Sequence, residues 1–234
     1  MLPHSQSDPD QSNLEQIVRQ LINSRRSIRA FLPDPVSQIE LEAIFETAAY
    51  APSNCNTQPW QTYVVSGSAR DAMSQLLKQS IGTGDYAIDF PYDAKYAGVY
   101  RERQIDVGKL LYQALGVERD DKNGKHQAFM RNLDFFDAPH AAFIFMPDWC
   151  GIREAADVGM YAQNLLLTLQ SHGLASCPQT ILSYNADIVR EQFGLSRDLK
   201  LLFGISFGYE DPSRPENKIV PTRASLSEAV HFFK

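Results

Sequence analysis

The chain has 234 residues, 44% hydrophobic and 21% charged, with a net charge of −6 at pH 7. Such a length and composition suit a globular domain with a core of its own. The acidic balance argues against a nucleic-acid face, which needs basic surface, and no apolar run approaches the roughly 20 residues that span a bilayer.

Residues 1–13, MLPHSQSDPDQSN, are polar and acidic and lack the cationic start and apolar stretch of a secretory leader. They read as a disordered arm before a single domain over 14–234. Leu14, Ile17, Val18, Leu21 and Ile22 recur at helical spacing, which predicts a helix over 14–23 capped by Ser12 or Asn13. FLPDPV breaks it, because each proline disfavours helix at the residue before it. Ser37 and Glu40 have capping-box spacing and open a second helix, with Ile39, Leu41, Ile44, Phe45 and Ala48 as its apolar face. APSNCNTQPW (51–60) is a polar loop, QTYVVSG a strand ending at Gly67, and 69–80 a helix. Residues 81–95 read as an aromatic-rich loop, 96–115 as a helix with much polar surface, DDKNGK as a turn and 125–133 as a further helix. HAAFIFM (140–146) is a compact buried strand. The helix predicted over 152–172 is nearly apolar in its middle, so more than one of its sides must be covered. LASCPQT is a strand or loop, 185–193 a short helix with Gly194 as C-cap, and LKLLFGISFGYE (199–210) a strand. From Asp211 the chain is charged and proline-rich, with little periodicity before 225–233. Helices outnumber scattered strands, which predicts an α+β fold with one mixed sheet covered by helices.

Three arginines, Arg25, Arg26 and Arg29, crowd into SRRSIR of this acidic chain. Guanidinium groups bind phosphate bidentately and keep their charge at any relevant pH, and Ser27 adds a hydroxyl donor. Without an anion, clustered like charges cost free energy. A solvated basic turn paired with Glu40 or Glu42 accounts for them equally well. Ser53, Asn54, Asn56, Thr57 and Gln58 fill one proline-bounded loop. Their amides suit the donor and acceptor edge of a flat heterocycle, although a turn satisfying its own backbone explains them more simply. Cys55, Cys150 and Cys177 form no metal or CxxC spacing, and an odd count suits a reducing cytoplasm. No spacing pairs a histidine with a cysteine, so Cys55 and Cys177 read as buried, inert thiols. Gly204–Gly208, GISFG, matches the letters of a nucleophile elbow, but a loop rather than a helix follows Ser206.

Taken together, SRRSIRAFLPDPV, AAYAPSNCNTQPWQTYVV, DVGMYAQNLLLTLQSHGLASCPQT and GISFGYEDPSRPENKIVPTRASLSEAVHFF resemble, in order and spacing, the FMN-dependent nitroreductase family over roughly residues 14–234, nearest its nitroarene and nitrobenzoate reductases. The paired signatures R-R-S-x-R-x-F and P-S-x-x-N-x-Q-P-W carry the likeness. It implies an intertwined homodimer with two FMN molecules at its interface, the 152–172 helix in the dimer core and a C-terminal segment crossing to the partner. It further implies ping-pong electron transfer: hydride from NADPH or NADH to flavin N5, then to a nitroaromatic or quinone acceptor, giving hydroxylamino products from the former. Reductive dehalogenation, enone reduction, flavin degradation, or FMN binding without turnover are alternatives on the same fold.

By this resemblance, Arg25, Ser27 and Arg29 hold the ribityl phosphate, with Arg26 adjacent to them and reaching the pyrimidine side through its backbone or side chain. Pro52, Ser53, Asn54, Asn56 and Gln58 contact FMN from the neighbouring subunit. Pro178, Gln179 and Thr180 lie against the isoalloxazine, and Arg223 is a late phosphate ligand, with Lys218 the weaker candidate. Residues 81–136 follow no family pattern and read as a variable substrate lid. Tyr86, Phe90, Tyr92, Tyr96, Phe135 and Phe136 are candidates to stack on a small aromatic acceptor, though core packing explains aromatics as readily. No side chain stands out as a general acid; the flavin carries the chemistry, and neither a catalytic residue nor a metal is expected. Arg101, Arg103 or Lys109 can meet the 2′-phosphate of NADPH. The expected partners are a second copy and a small acceptor, not nucleic acid or membrane, and the expected location is cytoplasmic.

Overall fold

A computed structural model describes residues 9–84, 86–91 and 95–234. Its centre is two long strands, β2 (His140–Pro147) and β4 (Leu199–Gly208). β1 (Gln61–Ser66) pairs with the free edge of β2, and β3 (Ala175–Gln179) with that of β4, giving the order β1-β2-β4-β3. Every pairing among these strands is antiparallel, which corrects the mixed sheet expected above. Parallel pairing among the described residues is confined to two isolated bridges, Ser27 with Ser176 and Ala87 with Asn185. Hydrophobic pattern marks a strand but does not encode the direction of its neighbour.

Alternation along β2 builds two cores, one on each face of the sheet. Ala141, Phe143 and Phe145 enter a cluster with Met73, Leu77, Leu133, Phe135 and Val189. Ala142, Ile144 and Met146 enter the other, with Ile44, Val158, Leu165, Leu169 and Phe207. The first is covered by α3 (Gly67–Thr83) and α7 (Ala186–Phe193), the second by α2 (Gln38–Ala48) and α6 (Ile152–Ser171). Truncating a wholly buried side chain such as Phe143 to alanine should cost about 3–5 kcal/mol.

Capping follows the sequence. Ser37 accepts from the Glu40 N–H at 3.3 Å, and Gly194 ends α7 at φ 66°. Ile39 is the exception on α2: it is 82% exposed, while Leu41, Ile44 and Ala48 are buried. The first helix, α1 (Pro9–Ser24), begins at Pro9, so residues 9–13 are helical rather than part of a disordered arm. Its apolar stripe, Leu14, Ile17, Val18 and Ile22, stays exposed in this chain. Between α3 and β2 lie α4 (Gly98–Ala114) and α5 (Lys122–Met130), and the tail carries a single-turn helix, α8 (Leu226–Ala229). Neither α4 nor α5 contains a fully buried residue.

The GISFG stretch is packing, not chemistry. Ser206 is wholly buried in mid-strand. A Cβ on Gly204 would lie 2.5 Å from Leu182, and one on Gly208 would lie 2.6 Å from Pro139, so neither position has room for a side chain. His140 is likewise structural. Its Nε2 accepts from the Val36 N–H at 2.9 Å, which leaves Nδ1 to donate to Ser66 Oγ at 2.6 Å, and burial lowers its pKa. No helix among the described residues is long and apolar enough to cross a membrane.

Candidate active site

The arginine segment is stitched to β3 and β4. The Ile28 N–H donates to Ser176 O at 3.0 Å and the Leu32 N–H to Tyr209 O at 2.9 Å. Asn217, 1% exposed in a short turn at Pro215–Lys218, completes the fastening. Its Oδ1 accepts from the Arg29 N–H at 2.8 Å, and its Nδ2 donates to Ala30 O at 2.8 Å and Asp211 O at 2.9 Å. Arg26 Nη1 in turn donates to the Asn217 carbonyl at 2.8 Å, and its other arm faces Glu210 at 3.6 Å. The Arg26 side chain therefore belongs to the clamp on the tail rather than reaching toward a ligand.

Arg25 differs. It is half-buried, and among the described residues its guanidinium has no carboxylate partner. Burial, reinforced by the nearby Arg223, lowers its pKa. Among the described residues, Arg223 hydrogen-bonds the carbonyls of Pro221 and Thr222, each at 3.1 Å. Arg29 donates to Ser27 O at 3.2 Å. Burial pushes the Cys177 thiol up to about 11 even though Arg29 and Arg25 both pull it down. Arg25, Arg29 and Arg223 thus gather beside β3 over a buried, inert thiol. A phosphate monoester fits such a cluster.

At the end of β3, Pro178 and Thr180 are exposed. Gln179 is turned inward. Its Nε2 donates to Asn132 O at 3.0 Å and Asn132 Oδ1 at 3.2 Å, and its Oε1 accepts from Ser206 Oγ. Only its backbone is left to face a ligand.

The 51–60 loop lies elsewhere. It is exposed from Asn54 to Gln58, with Cys55, Asn56 and Gln58 at positive φ. Asp157 of α6 accepts from the Asn54 N–H at 3.0 Å, and Ser53 Oγ accepts from the Gln58 N–H at 2.9 Å. Cys55 is exposed, not buried as its sequence context suggested. The loop feeds β1, at the opposite edge of the sheet from β3. Tyr63, Phe143, Gly204 and Gln179 form one row across it, three strand spacings or about 14 Å wide. One chain therefore keeps the two sets of candidate ligands at opposite sheet edges.

Of the aromatic candidates, Phe135 is wholly buried, edge-on to Phe143 at 6.2 Å, and Phe136 is buried at 4% exposure under Arg131. Both belong to the core, and Phe136 also lines a small cavity with Arg29. Phe90 packs against the α2–α6 core, and Tyr92 lies outside the described residues. Tyr86 and Tyr96 remain exposed.

Two buried residues escaped the sequence. Besides Asn217, Glu216 accepts from Arg131 Nη1 at 2.5 Å and from Arg214 Nη2 at 3.0 Å. In a proline-rich tail both types read as turn formers; the one hint was their place just ahead of the IVPTR stretch that carries Arg223.

The sequence model of the Nitroreductase family matches residues 22–209, from the arginine segment to the end of β4. The chain belongs to this family. The nitroreductase NfnB of Mycolicibacterium smegmatis is 44% identical over 221 residues, 94% of each chain. The crystal structure of the FMN-dependent nitroreductase NfnB from Mycobacterium smegmatis in complex with NADPH superposes with a TM-score of 0.92, covering 94% of this chain and 100% of that one. A 4-nitrobenzoate reductase of Pseudomonas putida is 34% identical over 218 residues, 91% of this chain and 93% of its own. An FMN- and NADPH-dependent nitroreductase NfnB from Sphigopyxis sp. strain HMH, 34% identical, superposes with a TM-score of 0.89 over 92% of this chain and 98% of that one. The fold of this nitroreductase-family chain is thus α+β, with its arginine segment inside the family match and Arg223 beyond it.

Proposed function

We propose that the chain is an FMN-dependent oxidoreductase that takes electrons from NADPH or NADH and reduces nitroaromatic compounds to hydroxylamines. The observation that carries this reading is the half-buried Arg25, without a carboxylate partner and close to Arg223 and Arg29. Bound FMN would supply the redox chemistry, accepting hydride from the nicotinamide and delivering it to the acceptor. The protein's own residues bind and orient. Arg25, Arg29 and Arg223 hold the phosphate, with the Ser27 hydroxyl beside them. The exposed end of β3, at Pro178 and Thr180, forms a wall against the ring. Pro52, Ser53, Asn54, Asn56 and Gln58 complete the site from a second copy, because each chain holds its own loop at the far edge of the sheet. Homodimerisation would also cover the exposed stripe of α1 and the exposed Phe232 and Phe233 of the tail, which crosses to the partner. Tyr86 and Tyr96 are left to flank a flat acceptor. A cytoplasmic location agrees with three free thiols. The reading is supported by the relatives, whose names specify FMN, NADPH and 4-nitrobenzoate.

An anaerobic stopped-flow trace tests it. The FMN-loaded protein is mixed with NADPH or NADH, the flavin band is followed, and 4-nitrobenzoate is then added. Bleaching followed by rapid recovery is expected. A yellow protein that neither nicotinamide bleaches would be a flavin-binding protein, and the enzyme reading would fall. Bleaching without recovery would move the acceptor to another class.

A further inference from the structure

We propose that the cavity between the end of α4 and the start of α5 seats the adenosine 2′-phosphate of the donor, making NADPH rather than NADH the preferred reductant. The inference rests on the nicotinamide-dependent reading above and names the donor for it.

The cavity measures about 730 Å³ and is lined by Gly108, Lys109, Tyr112, Gly116, Arg119 and Lys125, among others. That volume lies within the range of sites for small organic ligands. Three cations face one anion, Glu118, so the lining is net positive in a chain of net charge −6. Their present partners are weak. Lys109 meets Asp106 at 3.1 Å with both side chains mostly exposed, a pairing that contributes little. Lys125 donates to the Arg119 carbonyl, and the Arg119 guanidinium has no carboxylate partner among the described residues. Arg119 and Lys125 thus both line the cavity without a carboxylate partner among the described residues, which leaves two charges for one dianionic group. Tyr112 offers an aromatic ring, with Lys125 Nζ 5.7 Å from its centroid, and Gly108 and Gly116, one turn to either side, leave the wall open for a base.

Position agrees with chemistry. A smaller cavity of about 210 Å³ borders the same helix, lined by Leu111 and Leu115 together with Arg29. Both cavities thus border α4, and the smaller one includes Arg29. A dinucleotide anchored in the larger cavity can reach along α4 toward the phosphate arginines. Arg101 and Arg103, the other cations of the helix, do not line the cavity. Arg101 holds Gln104 at 2.5 Å, and Arg103 pairs with Glu228 at 3.1 Å.

Steady-state kinetics of the FMN-loaded enzyme test the assignment with Lys109→Gln, Arg119→Gln and Lys125→Gln. The KM for NADPH should rise about tenfold in Arg119→Gln and in Lys125→Gln, and less in Lys109→Gln, with kcat and the KM for NADH unchanged. Arg119→Lys should restore most of the loss. Equal rises for both donors, or no change for either, would overturn the proposal. Calorimetry on the wild-type protein gives a second readout: 2′,5′-ADP should bind more tightly than 5′-AMP, and equal affinities would also overturn it. Flavin bleaching by NADH in the same variants reports on the enzyme reading separately, so the two can fail independently.

Discussion

Asn217 carries more of the candidate site than any residue visible from the sequence. Replacing it with leucine removes three side-chain hydrogen bonds and leaves the Arg29 N–H and the carbonyls of Ala30 and Asp211 without them. The expected cost is about 2–4 kcal/mol in a urea unfolding curve. FMN should also bind at least about tenfold more weakly in a flavin-fluorescence titration, because the segment bearing Arg25 and Arg29 loses its fastening. Unchanged FMN affinity would separate Asn217 from the phosphate site. His140 makes a different prediction. Burial lowers its folded pKa below the ordinary 6.5, so the neutral ring is favoured in the folded state. Its contribution to stability is fully present above pH 6.5 and is lost as the pH falls through the depressed folded value. The denaturation midpoint should therefore decline below pH 6.5, and His140→Gln should flatten that part of the profile. At this scale the sequence was a partial guide. The charge of Arg25, Arg29 and Arg223 was legible, since an acidic chain rarely clusters cations without cause. The engagement of Arg26 by the tail was not, because it depends on contacts 191 residues apart.

At the scale of elements, the loop beginning at Tyr86 is tied down by one buried ion pair. Asp89 accepts from Arg190 Nη1 at 2.5 Å and from the Leu201 N–H at 2.8 Å, with both charged side chains 6% exposed. Asp89→Ala would remove one of the two carboxylates that hold the buried Arg190, leaving Asp187 at 2.6 Å and the Leu199 carbonyl at 3.0 Å, at a cost of about 1–3 kcal/mol. It should also loosen the loop from β4, leaving it held at Ala87 by the bonds to Tyr184 O and the Ala186 N–H, so limited proteolysis should cut near residues 88–91 faster in the variant than in the wild type. Elements with a strong local signal were legible: the Ser37 cap, the two-sided α6, the uniformly apolar β2. The direction of strand pairing was not, because it is set by how chain connections close. Nor was the apparent helical face at Ile39, since period alone does not say which side of a helix meets a neighbour. The start of α1 was missed because polar composition resembles a disordered arm even where helix forms.

For the whole molecule, the decisive fact is the width of the sheet. If the phosphate cluster and the 51–60 loop must meet around one FMN, they come from different chains. An Arg25→Ala chain and an Asn54→Ala, Gln58→Ala chain should each be nearly inactive alone. Refolded together in equal amounts, about half of the dimers should be mixed, each with one intact site, restoring about a quarter of wild-type activity. No recovery in mixed dimers would place the complete site within one chain. The sequence spoke to assembly only through its resemblance, because an exposed apolar stripe such as that of α1 looks the same in sequence as one facing its own core.

The surface-lying α4 has a longer consequence. With no fully buried residue, it contributes little to the cores on either side of the sheet, and its tie to the tail is the surface ion pair of Arg103 with Glu228. Substitutions there carry a small penalty in folding. This chain of the Nitroreductase family can therefore accumulate variation in the segment bordering the 730 Å³ cavity while β2, β4 and the arginine segment stay fixed. Descendants with altered tastes in small molecules are expected to diverge first along α4, and a deep mutational scan read out by folding alone should find that helix more permissive than α6, whose buried residues fill a core.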